Sequence, residues 1–270
     1  MKKMITTCMA AAVVLTTSAV AEFNFDKAPE KLTAHYLAGM QTVDTIKTKL
    51  ASNGFEVLAT DEVLKGETVI TITNDELKKT NSYMATLHIL VNSKDNEVRV
   101  QNPSYLGSAY LKGYKYGDFK ATLNSLEKVL STMIPVLQQK EFDELPEYHF
   151  MFGMPYLADT ITVTEGSDLI AKLTGLKSSK YISYSLKLPN GATLVGHKLR
   201  SRTNKFLKKI NQTKNAQLLP YEAMIKDGKV TILDPKYYLA LSLPLLSMSE
   251  FMKIATVPDA IEKEIKKAYK

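Results

Sequence analysis

The chain has no tryptophan and one cysteine, Cys8, in 270 residues. Cys8 sits in a short N-terminal apolar stretch, Met4 to Thr16, behind the basic pair Lys2-Lys3 and ahead of Ala19-Val20-Ala21. That order predicts a secretory signal peptide over 1–21, cleaved near Ala21. The stretch is too short for a membrane span, which needs about 20 apolar residues. No lipobox surrounds Cys8, which argues against a lipid anchor. Cleavage leaves a chain without disulfides, thiol nucleophile or thiolate metal site. Its stability must then come from a core, which about 250 residues can supply. No later run is apolar enough to cross a membrane. The expected location is the periplasm or the cell exterior.

Acidic residues are missing from one long stretch. Between Leu169 and Tyr221 there are eleven Lys or Arg and no Asp or Glu, within a chain of net charge +7. Residues 131–168 invert this, with Lys140 against seven carboxylates. One half of the chain therefore carries a positive field that the other lacks. Several catalytic and cofactor signatures are absent too. There is no G-x-S-x-G elbow, no Walker A loop, no G-x-G-x-x-G and no H-E-x-x-H. The sequence names no cofactor.

What is present is a repeat. Shifted by 132 residues, "DNEVRVQNPSYLGSAYLKGYKYGDF" (95–119) overlies "DGKVTILDPKYYLALSLPLLSMSEF" (227–251) without a gap. Asp95/Asp227, Val98/Val230, Pro103/Pro235, Tyr105/Tyr237, Leu111/Leu243 and Phe119/Phe251 are identical. Each copy reads as turn, strand, Asn/Asp-Pro corner, aromatic segment, then helix.

The surroundings extend the match. In the first unit, 32–39 reads as a strand and 42–53 as a helix with Val43, Ile46 and Leu50 on one face, stopped at Gly54. Strands follow over 55–63 and 67–73, a short helix over 75–80, strands over 83–92 and 97–101, and a helix from Gly117. In the second unit, strands are expected over 159–165, 181–188, 192–199, 219–225 and 229–233. Ser167 is the candidate N-cap of a helix with Leu169, Ile170 and Leu173 inward. A short helix is expected over 203–210, a Ser247/Glu250 capping box opens the next, and Pro258 starts the last. The expected class is α+β: two similar β-α-β(4)-α units, 22–135 and 159–270, joined by a connector over 136–158. Each would be an antiparallel sheet with helices packed on one face, since each helix has one apolar stripe to bury.

The hairpin into an Asn/Asp-Pro corner, after a short helix and a "LLPYE" strand entry, resembles domain-of-unknown-function family 302. "LLPYEAMIKDGKVTILDPKYYLAL" (218–241) carries the better match and 72–110 the weaker. The resemblance implies a TATA-binding-protein-like fold in both units. It implies no activity.

Candidate sites follow from these features. The corners offer Asn102, Tyr105, Tyr110, Asp234, Tyr237 and Tyr238, either as strand terminators with packed aromatics or as rims of a ligand cleft. Lys198, Arg200, Arg202, Lys205, Lys208 and Lys209 form either a solvated face or an anion site. The acidic 141–147 could instead fold back and neutralise them. His149, Met151 and Met154 are soft ligands for a metal such as copper, but on a strand Met154 points away from the other two, so an apolar connector fits better. The expected function is binding of a small anionic ligand or an envelope partner, through an inter-unit groove or the basic face. The chain would be a monomer of two pseudo-symmetric units or a homodimer. Export argues against nucleic acid. The alternative is an enzyme or metal-handling protein built on a His/carboxylate cluster.

Overall fold

The computed structural model describes residues 23–175 and 180–270. The expected signal peptide, with Cys8, lies outside them. In the first half, β1 (Lys31–Thr33) and β2 (His35–Gly39) lead into α1 (Val43–Ser52). Then come β3 (Glu56–Leu64), β4 (Glu67–Thr73), α2 (Asp75–Lys78), β5 (Leu87–Asn92) and β6 (Glu97–Gln101). Two helices, α3 (Pro103–Tyr110) and α4 (Lys120–Leu130), and two short strands, β7 (Met133–Pro135) and β8 (Gln139–Glu141), follow. The second half holds β9 (Ile161–Glu165), α5 (Leu169–Leu173), β10 (Ile182–Lys187), β11 (Thr193–His197), α6 (Ser201–Asn204) and α7 (Phe206–Lys209). It ends with β12 (Tyr221–Lys226), β13 (Lys229–Ile232), α8 (Pro235–Ser242), α9 (Met248–Lys253) and α10 (Val257–Lys267).

The class is α+β, with antiparallel sheets. One sheet has the order β3-β4-β5-β6-β2-β7, the other β10-β11-β12-β13-β9. Taken by position within each half, the first five strands of the one and all five of the other follow the same order. The expected strand over 32–39 breaks at Ala34. β1 leaves to pair with β8, so the connector is stitched to the first half rather than hanging between the two.

Local chemistry explains the elements. The Thr42 hydroxyl caps α1 by accepting from the Thr45 N–H, Ile46 and Leu50 are fully buried, and Gly54 at φ +81° turns the chain out. Along α4, Leu123, Leu126, Val129 and Leu130 form the buried stripe. Asp227 and Gly228, both at positive φ, make the tight β12–β13 turn. The Ser247/Glu250 capping box is formed in full.

Three expectations need correction. The aromatic segment after each Asn/Asp-Pro corner is itself a helix: Asn102 caps α3 and Asp234 caps α8, each with proline at the start. The position before α5 is Asp168 rather than Ser167, and its side chain makes no cap bond. Ile170 faces out, 47 % exposed, because a five-residue helix buries only Leu169 and Leu173 against the core.

The halves share a large hydrophobic core, and a smaller cluster of Ala85, Tyr184, Leu186, Leu194 and Met224 also joins them. Every residue of β5 is buried, on both faces of the strand. The 3-10 segment Thr213–Leu218 of the second half lies over β4, β5 and β6, and the segment Tyr83–Ala85 of the first lies against β12. The contact between halves is thus a packed seam, with a recess of about 250 Å³ between Asp61, Glu62 and Val63 of the first half and His197, Lys198 and Leu219 of the second.

Candidate functional site

The corner residues are drawn into this seam. Asn102 is fully buried; its amide donates to the Thr33 carbonyl at 2.8 Å while its oxygen accepts from the Ser104 N–H at 2.9 Å. Asp234, half-buried, accepts from the Lys236 N–H at 2.8 Å. Both therefore act as helix caps. Tyr105 donates to the Leu241 carbonyl at 2.8 Å and Tyr238 to the Leu218 carbonyl at 2.7 Å. Tyr237 packs edge-on against Tyr148, and its hydroxyl has no partner among the described residues. Burial raises all of these phenols above their ordinary value, so they stay protonated.

Two polar clusters cross the seam. In the first, Arg99 binds Glu97 at 2.6 Å, the Asn215 oxygen at 3.1 Å and His35 Nε2 at 3.0 Å. Arginine can only donate, so His35 Nε2 accepts and the ring is neutral. Burial, reinforced by the Arg99 charge, lowers His35 to about 3. In the second, Glu222 accepts from the hydroxyls of Thr86 and Tyr184. His88 donates from Nδ1 to the Gln217 carbonyl at 2.7 Å, which turns Nε2 toward Glu222, 3.6 Å away. Sequence reasoning did not bring His88 and Glu222 together, because residues of opposite halves meet only in the fold.

A large cleft lies beside the connector. It holds about 900 Å³ between the end of α3 and residues 142–159. Tyr110, Tyr114, Tyr148, Tyr156, Phe142 and Leu157 supply its apolar walls, and Asp143, Glu147, Asp159 and Lys112 its charges. Of the six corner candidates only Tyr110 reaches it, and its hydroxyl has no partner among the described residues. Lys140 lies 5.4 Å from the Tyr148 ring centroid, a cation on an aromatic face. The connector contributes half of the lining; its acidic charge marked the segment in the sequence but not its place in a cleft.

The basic segment is a solvent-facing surface. Lys198, Arg200, Arg202, Lys205, Lys208 and Lys209 are all exposed. Lys198 reaches across the seam to Asp61 at 2.9 Å. The other five form no ion pair with a described residue. The acidic connector does not neutralise them: Glu141 pairs with Lys31 at 2.9 Å. The His149 and Tyr156 rings lie 4.5 Å apart, tilted by 38°, and residues 151–154 form a turn with Gly153 at φ +77° instead of a strand. Met154 is partly buried and packs on the core. Among the described residues, no group of three or more His, Cys, Asp or Glu could hold a metal ion. No described helix is long and apolar enough to cross a membrane. No family profile matches the chain, and no curated protein or solved structure matches it.

Proposed function

We propose that this is an exported binding protein whose ligand seat is the connector cleft. The observation that carries the reading is the cleft itself: about 900 Å³, walled by tyrosines and aliphatic side chains, with few polar groups at its rim. Concave, mostly apolar clefts of this size are where small organic ligands bind. Three carboxylates against Lys112 make a neutral or cationic amphipathic ligand a better fit here than an anion. The N-terminal sequence pattern supports export. The shared strand order and the 132-residue offset of the capped helices α3 and α8 support two family-302-like units in tandem.

Nile red, a neutral apolar dye, tests the seat. The mature protein should bind it saturably at one equivalent. Ala158→Trp, at an exposed position on the cleft wall, should abolish binding without lowering the melting temperature. No saturable binding, or binding unchanged in A158W, would sink this reading.

A further inference from the structure

A second recess shares no lining residue with the connector cleft. It holds about 220 Å³ and is lined by Lys180, Tyr181, Lys198, Leu199 and Arg200. We infer that it binds a phosphate-type oxyanion, with Lys180, Lys198 and Arg200 as its cationic walls and the Tyr181 hydroxyl as a further donor.

The composition is the first argument. Three of five lining residues are cations and none is a carboxylate. Like charges brought to one recess repel unless an anion lies among them. Asp61 answers only Lys198, and it also takes the Ser183 hydroxyl. Lys180 and Arg200 form no ion pair with a described residue. Lys180 instead lies 5.1 Å from the Tyr181 ring centroid. The Arg200 side chain, hydrogen-bonded to the Tyr181 phenol, holds it below its ordinary value, and the charge of Lys180 adds to this.

Rigidity is the second argument. The Lys198 N–H donates to the Tyr181 carbonyl at 2.7 Å, fixing the two strand ends that carry the cations. The Arg200 N–H donates to the buried Glu264 carboxylate at 2.8 Å, which also accepts from the Thr203 hydroxyl at 2.7 Å. A guanidinium held at its backbone can offer a phosphate two parallel donors. Arg202, Lys205, Lys208 and Lys209 add a positive field that would steer an anion in. Because Lys198 also holds Asp61 of the other half, the oxyanion competes with a carboxylate that ties the seam.

The same chemistry serves a free phosphate compound or the phosphodiester headgroup of an anionic lipid, so the test has two arms. Pyrophosphate is titrated with amide chemical shifts as readout, and phosphatidylglycerol vesicles are used in co-sedimentation at physiological ionic strength. Lys198→Gln with Arg200→Gln should weaken binding about tenfold or more, as loss of charge-assisted hydrogen bonds does. Lys205→Gln, Lys208→Gln and Lys209→Gln together should weaken it by much less, since they act only through the screened field. Saturable shifts around Tyr181 with pyrophosphate would assign a free oxyanion; binding to vesicles alone would assign the headgroup. Binding to neither probe, or equal weakening by the triple variant, would overturn the inference. If the double variant unfolds early, Arg200→Gln alone carries the test, since that side chain pairs with no carboxylate.

Discussion

The Tyr105 phenol donates to the Leu241 carbonyl at 2.8 Å, whereas Tyr237, its counterpart 132 residues on, has a buried hydroxyl without a partner among the described residues. The two positions share sequence, helix and burial, and differ in this one bond. Tyr105→Phe should therefore cost about 1–2 kcal/mol, because it strands a buried carbonyl. Tyr237→Phe should be neutral or slightly stabilising, because it removes a buried group that has gained no bond. Urea unfolding of both variants decides it; equal losses would show that the Tyr237 hydroxyl is satisfied after all.

Acid should weaken the fold through its neutral histidines. His197 donates from Nδ1 to the Val195 carbonyl at 3.1 Å and accepts at Nε2 from Tyr269 at 3.0 Å. Burial lowers it from 6.5 to about 4. The folded state then binds this proton less readily than the unfolded chain. The stability is present above pH 6.5 and is lost as the pH falls toward 4. The slope is about 1.4 kcal/mol per pH unit for one such group. His197→Gln should remove one histidine's share of that slope, leaving the share of His35. Unfolding free energies at several pH values would show it, and an unchanged slope would mean that His197 is not held neutral.

Glu67 should act in the opposite direction. Its side chain is fully buried at the start of β4, its oxygens lack hydrogen bonds, and the nearest cation, Lys94, is 3.8 Å away. Burial raises the carboxyl from 4.5 to about 7. The folded state keeps the proton longer than the unfolded chain, so stability falls as the pH rises from 4.5 through 7. Glu67→Gln should relieve a cost on the order of 2 kcal/mol at pH 8 and much less at pH 5. A gain in melting temperature that is the same at both values would contradict this.

Much of the architecture was legible because it is local. A run of β-branched residues marks β4, a one-sided apolar stripe marks α1 and α4, and Asp-Gly marks the β12–β13 turn. The corner was half legible. Proline ends a strand and also starts a helix, and short buried helices such as α3 and α8 lack the amphipathic stripe that would distinguish the two. Ile170 was misplaced because a periodic stripe assumes more helix than α5 has.

The sequence by itself determined most strands, the repeat, the Ser247/Glu250 capping box and the uneven charge, since each depends on neighbours within a few residues. Only the tertiary structure decided where the repeat's tyrosines go, that β1 and β8 tie the connector to the first half, and that Lys198 meets Asp61. Those outcomes depend on which surfaces two sheets bury against each other. Burial on both faces of β5, the neutral state of His35 and the cleft beside the connector all follow from that packing, which no window of sequence contains.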